Sequence, residues 1–256
     1  MAERATDATR AEICAVACAE AWRGDGEILA SAFGVAPTIG VRVAKATFEP
    51  GLLVTDGEAS LVANPLPLGA SDDEKVVEGW LPFRTVFEHV WAGRRHAMLG
   101  ASQIDRYGNQ NISCIGEWAR PKVQLIGVRG APGNTINHPV SYWVPDHGPR
   151  VFVEKVDMVS GVGYDRARDA GAERFHEIRL IVTNLGVFDF ATPDHSMRVR
   201  SLHPGVSLEE VRQATGFQLA TDDPVPTSRE PTAEELRLIR EVLDPGGLRE
   251  REVKVA

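Results

Sequence analysis

Five short apolar runs, at residues 51–55, 97–100, 123–128, 151–153 and 178–183, constrain this chain more than any other feature of it. Several are continuous rather than alternating, the pattern of strands covered on both faces. Helical segments lie between or after them. The spacing therefore predicts an α/β fold, an open and mainly parallel sheet with flanking helices. A first helix is expected over 7–22, with Ile13, Val16 and Ala17 on one face, ended by Arg23-Gly24-Asp25-Gly26. Ser207-Leu208-Glu209-Glu210 reads as a capping box opening a helix to Thr215, and Thr232-Ala233-Glu234-Glu235 opens another to about Val242. A polar, proline-containing connection at 221–226 lies between them. One α/β domain is expected over 1–220, with 221–256 a connection and a helix packed on that domain or on a partner.

Composition narrows the function. With 43% hydrophobic and 25% charged residues in 256, the chain can bury a core without disulfides. A formal net charge of −8 argues against a nucleic-acid partner, which would need a basic face. Cys14, Cys18 and Cys114 lack zinc-like spacing; Cys14 and Cys18 read either as small core residues or as a metal or redox pair on one helix face. The seven histidines are dispersed, so no metal site is expected. No apolar stretch approaches the ~18 residues of a membrane span, and the first residues lack a signal-peptide core, which predicts a cytoplasmic protein. The fingerprints of the commonest hydrolases, kinases and dehydrogenases are missing.

Candidate site residues gather just after the apolar runs, where strand ends in an open α/β sheet expose backbone donors. The run 97–100 leads into G-A-S-Q-I-D-R-Y-G-N-Q-N over residues 100–111, which carries Gln103, Asp105 and Asn109. Asp105 and Asn109 beside Gly108 read either as site residues or as turn formers. After 123–128 come Gly130-Ala131-Pro132-Gly133-Asn134, either a plain surface turn or an exposed backbone whose amides face a thioester oxygen. His138 lies close by. Asp56 and Glu58 flank Gly57 after 51–55, as nucleophile or base, or as turn caps. Trp80, Phe83, Phe87 and Trp91 form an aromatic stretch suited to core or interface packing, or to the wall of an apolar pocket.

The run 100–111 resembles the G-A-x-Q-x-D-x-x-G-N-x-N signature in the β subunits of family I coenzyme A transferases. Residues 182–190 resemble their V-T-x-L-x-V-F block, and 204–211 their P-G-V-T-x-E-E-V block, completed by Thr215-Gly216-Phe217. The resemblance implies a coenzyme A transferase-like sheet and an α subunit partner in an α2β2 assembly. It implies coenzyme A as part of the substrate rather than a resident cofactor. It also places Gln103, Gly130, Ala131, Gly133 and Asn134 at the substrate. The family's attacking glutamate, usually followed by glycine, is replaced here by Asp56, with Glu58 two residues on. That combination is similar to one branch of the family, the ring-cleaving acyl-CoA hydrolases of bacterial steroid catabolism. The branch implies water addition and retro-Claisen cleavage of a carbocycle, with the catalytic glutamate in the α subunit. Two rivals stay open: a CoA transferase working through Asp56 or Glu58, and a non-catalytic or ligand-sensing subunit.

Overall fold

The computed structural model describes residues 7–57 and 59–253, which form two compact units, 7–98 with 229–253, and Leu99–Ser228. In the first, α1 (Arg10–Glu20) starts on Thr9, whose hydroxyl accepts from the Glu12 amide while the Glu12 carboxylate accepts from Thr9 N. This reciprocal cap satisfies two orphan donors of the first turn. Strand β1 (Leu29–Ala32) leads to α2 (Val35–Thr47), which lies against α1 at Gly40. A Cβ there would come within 2.8 Å of Ala15 O and Ala19 N, so only glycine lets the two backbones meet. Strands β2 (Leu53–Val54), β3 (Ser60–Val62) and β4 (Val77–Trp80), helix α3 (Phe83–Trp91) and strand β5 (Arg95–Gly100) follow. β1 pairs in parallel with β2 and with β5, whereas β3 and β4 form an antiparallel hairpin.

The second unit opens with two small hairpins, β6 (Gln103–Ile104) with β7 (Gln110–Asn111) and β8 (Cys114–Ile115) with β9 (Val123–Gln124). After a 3₁₀ turn at Gly127–Arg129 come α4 (Ala131–Asn137), β10 (Pro139–Val144), α5 (Tyr164–Asp169), β11 (Glu177–Thr183), β12 (Gly186–Asp189), β13 (Arg198–Leu202), α6 (Leu208–Gln213) and β14 (Ala220–Thr221). Its sheet runs β14-β13-β12-β11-β10. The β10–β11 and β13–β14 pairs are parallel, and β12 is antiparallel to both of its neighbours. Tyr142, Phe152, Ile181, Phe188 and Met197 are fully buried in its core.

Two of the apolar runs are not buried strands. Only Val123 and Gln124 of 123–128 pair, in a surface hairpin, and Val123 and Ile126 are exposed. Residues 151–153 form a turn joined to the β6–β7 hairpin through one bridge, Ile104 to Phe152. The boundary near 220 also shifts. β14 pairs with β13, and Ser228 N donates to Leu202 O, so residues 221–228 stay with the second unit. Beyond them, α7 (Ala233–Arg237) continues as a π-helical stretch to Leu243, and α8 (Arg249–Glu252) follows. The Glu252 carboxylate accepts from Val35 N and Ala36 N at 3.0 and 2.7 Å, capping α2, whose own N-cap Gly34 has no side chain to do so.

Candidate active site

The hairpin β6–β7 turns through Asp105 and Asn109. The Asp105 carboxylate accepts from the amides of Tyr107 and Asn109, both at 3.0 Å, and from Asn109 Nδ2 at 2.9 Å. Gly108 supplies the positive φ of 83° that the turn needs. Asn109 Oδ1 then accepts from Gly163 N, where any Cβ would collide with the Tyr107 carbonyl. Burial raises the Asp105 pKa, opposed by these hydrogen bonds. Asp105 and Asn109 are thus turn scaffold.

Gln103 is buried one strand position away. Its Oε1 accepts from Asn111 Nδ2 at 2.7 Å and from Asp157 N at 2.9 Å, and its Nε2 donates to Asp157 Oδ2 at 3.1 Å. The same Asp157 oxygen accepts from Gly116 N at 2.8 Å. Gln103 therefore ties both hairpins to the segment around Asp157.

Residues 130–134 are a helix start, not a turn. Gly130 is the N-cap of α4, and Pro132 sits at its second position, where proline's missing N–H costs nothing. Asn134 Nδ2 donates to Gly130 O at 2.7 Å, and Asn134 Oδ1 lies 2.8 Å from His138 Nε2. His138 Nδ1 faces the Pro139 carbonyl, so that nitrogen donates. Thr135 fixes the buried side of α4: its hydroxyl donates to Ala131 O and accepts from Val162 N, and its carbonyl accepts from His176. What remains unbonded within the helix, by α-helical geometry, is the first-turn amides of Ala131 and Gly133. Just before α4 in the chain, Ser102, Ile112 and residues 124–127 line an open groove of about 360 Å³. First-turn amides can hold an oxyanion, and the groove's Ile112, Leu125 and Ile126 can take carbon groups.

Asp56 closes the connection from β2 to β3. Its amide donates to Ser60 O at 3.0 Å, its Oδ1 accepts from Ser60 N, and its Oδ2 pairs with Lys75 Nζ at 2.9 Å. The side chain is only 4% exposed. Glu58 lies outside the described residues.

No protein-family model matches the chain. It is 55% identical, over all 256 residues and the whole of the relative, to the cholesterol ring-cleaving hydrolase IpdB subunit of Rhodococcus jostii. The chain belongs to the family of these IpdB subunits. The crystal structure of R. jostii IpdAB matches 98% of the chain and all of the solved chain, at a TM-score of 0.93 and 55% identity. Glutaconate coenzyme A-transferase of Acidaminococcus fermentans matches 99% of the chain and the whole of its own, at a TM-score of 0.78 and 25% identity. The expected coenzyme A transferase-like α/β fold is therefore the observed one. In this IpdB-family chain the expected substrate residues divide into two groups. Gln103 and Asn134 both bond within the chain, Gln103 to Asn111 and Asp157 and Asn134 to Gly130 and His138, and so brace the segments that carry them. Gly130 N likewise donates inward, to Gly127 O. Ala131 and Gly133 keep their amides. Thr135 and His176, which hold α4 in place, carry no motif and were not legible in the sequence.

Proposed function

We propose that this chain is the β subunit of a heteromeric acyl-CoA hydrolase that opens a carbocyclic ring of a steroid-derived CoA thioester. The observation that carries this is full-length identity of 55% to an IpdB subunit. Water adds to a ring ketone to give a tetrahedral oxyanion. The adjacent C–C bond then breaks, the oxygen-bearing carbon becomes a carboxylate, and the carbanion on the other fragment takes a proton. The α subunit supplies the acid–base glutamate, and this chain supplies Ala131 and Gly133 N–H to the oxyanion. Asn134 and His138 hold the α4 turn, and the groove at residues 102–127 takes apolar substrate carbons. Coenzyme A enters only as part of the substrate.

Asp56 has a structural place in this scheme. Its pairing with Lys75 and Ser60 suits a turn cap rather than a nucleophile. Asp56→Ala, assayed with the α subunit, should keep kcat within about threefold, because the ~100-fold losses of misplaced reacting groups do not apply to it. Hydroxylamine or borohydride should trap no CoA adduct on this chain, and a trapped adduct would overturn the assignment.

The aromatic stretch completes the partner surface. Phe83, Phe87 and Trp91 share one face of α3, and with Trp80 they are exposed. The four rings expose roughly 500 Å², given 150–250 Å² per aromatic side chain, which is as large as the largest patch on an ordinary monomer. This face docks the α subunit. Phe87→Glu with Trp91→Glu should weaken assembly by at least ~2 kcal/mol, about 30-fold in Kd, in analytical ultracentrifugation.

Among the described residues no helix is long and apolar enough to cross a membrane, and all three cysteines are free and buried. Unpaired thiols suit the cytoplasm. The decisive assay uses the chain with its α subunit, a cyclic 1,3-dicarbonyl CoA thioester and ¹⁸O-labelled water. Ring hydrolysis gives a product one water heavier that carries the label and keeps CoA. Transfer of CoA to an added carboxylate without ring opening would make the chain a transferase subunit.

A further inference from the structure

A pocket of about 190 Å³ in the first unit lies among α2, β2, β3 and the segment that follows β3. Two cations from one face of α2, Arg42 and Lys45, meet in it. Lys45 is served: its ammonium donates to Leu52 O at 2.7 Å and to Glu78 Oε1 at 2.9 Å. Arg42 is not. One guanidinium N–H donates to Leu66 O at 2.6 Å, and among the described residues no carboxylate pairs with it. Its pKa is lowered by burial, and among the described residues no acid offsets the cost. Asn64, also at the rim, has both ends of its amide bound to the backbone of Glu74 and Val76. Among the described residues two positive charges therefore face one negative charge, while Pro50, Val54, Val62, Pro65 and Leu66 make the walls apolar.

The geometry points to a binding site for a small aliphatic carboxylate, its oxygens on Arg42 and its methylenes against Val54, Val62 and Leu66. A planar guanidinium with uncommitted N–H groups matches a carboxylate in bidentate fashion. A desolvated cation without a counter-ion gains from one, since pairing offsets the burial cost. Apolar walls favour an acid with a hydrocarbon body over strongly hydrated inorganic phosphate. A cavity near 150 Å³ holds a benzene-sized molecule, so an acid of about four to six carbons fits.

Calorimetry on the assembled α–β enzyme, with butyrate as probe and butyramide and inorganic phosphate as controls, tests this. Butyrate should bind saturably, one per copy of this chain, with Kd near or below about 1 mM. Butyramide and phosphate should bind at least about tenfold more weakly. Arg42→Met, which keeps the stem but removes the fork, should weaken butyrate at least about tenfold. Because Arg42 also holds Leu66 O, Glu78→Gln gives an independent reading: removing the competing acid should tighten butyrate about two- to fivefold. The proposal is overturned by no saturation up to about 10 mM butyrate, by equal binding of butyramide, or by unchanged affinity in Glu78→Gln. Binding to the isolated chain that vanishes in the α–β enzyme would also overturn it, as the pocket would then be covered by the partner.

Discussion

Gly133→Pro should lower kcat for ring opening by about 10²–10³-fold, the usual cost of losing one oxyanion donor, whereas Gly133→Ala should stay close to the parent. The pair separates an amide's chemistry from its surroundings. Gly133 lies in the first turn of α4 with no positive φ, and a Cβ there meets nothing within 4 Å. Alanine therefore fits and keeps the N–H. Proline also suits a first helical turn but removes the donor, and that donor has no intrahelical partner to lose. Proline at 133 disfavours the helical conformation that Pro132 holds in α4, so the thermal midpoint must be read alongside the rate. The expected result is a folded, assembled enzyme with KM little changed and kcat sharply reduced. If Gly133→Pro matched Gly133→Ala in kcat, the oxyanion would be held elsewhere.

The same segment marks the limit of what the residues alone disclose. Gly130 to Asn134 reads as a turn because glycine and proline punctuate chains, yet proline is equally at home at a helix start, and local pattern does not separate the two. α2 is a stronger case. It contains Pro37, Gly40 and several β-branched residues, a composition of low helix propensity. It is helical because it packs on α1 at Gly40 and takes its cap from Glu252, 217 residues away. Long-range partners leave no local trace. By contrast β11 is legible, since a continuous run, Ile178 to Thr183, is almost wholly buried. The capping boxes were half right. Thr232 and Glu235 form a full reciprocal cap, while at Ser207 the hydroxyl accepts from Glu210 N. The run 123–128 misled because its apolar residues border an open groove rather than a core. The ordered family blocks made the fold and the family legible, because they span elements of the sheet and its helices from residue 100 to residue 217.

The largest stability effect is expected at Glu12. Its carboxylate is 1% exposed and receives Arg240 Nε at 2.8 Å, Arg240 Nη2 at 2.9 Å, Arg249 Nη2 at 2.9 Å and Thr9 N at 2.9 Å. Arg249 also pairs with Asp244 at 3.0 Å. The group joins α1 to α8 and to the π-helical stretch, and so fastens the C-terminal helices of the first unit to its first helix. Glu12→Gln would place an amide donor against guanidinium donors and leave a buried pair broken, at a cost of about 3–5 kcal/mol. Arg240 is about a third exposed, and solvent screening there favours the lower end. The pH dependence has a definite sign. Burial alone would raise the Glu12 pKa, but the hydrogen bonds from Arg240 and Thr9 and the charges of Arg240 and Arg249 outweigh it and lower the value. A depressed carboxylate pKa contributes stability that is complete above the unfolded value and is lost as pH falls through the folded one. The gap between parent and Glu12→Gln in urea should therefore be widest near pH 7 and narrow below about pH 4.5. Glu20 and Glu235, both lowered beside Arg229, keep an acid limb in both proteins. Amide exchange in α8 should speed up in the variant before the strands of either unit do, because α8 loses its anchor first. Equal urea midpoints at pH 7 would show that the C-terminal residues are held by their apolar contacts, with the buried charges contributing nothing net.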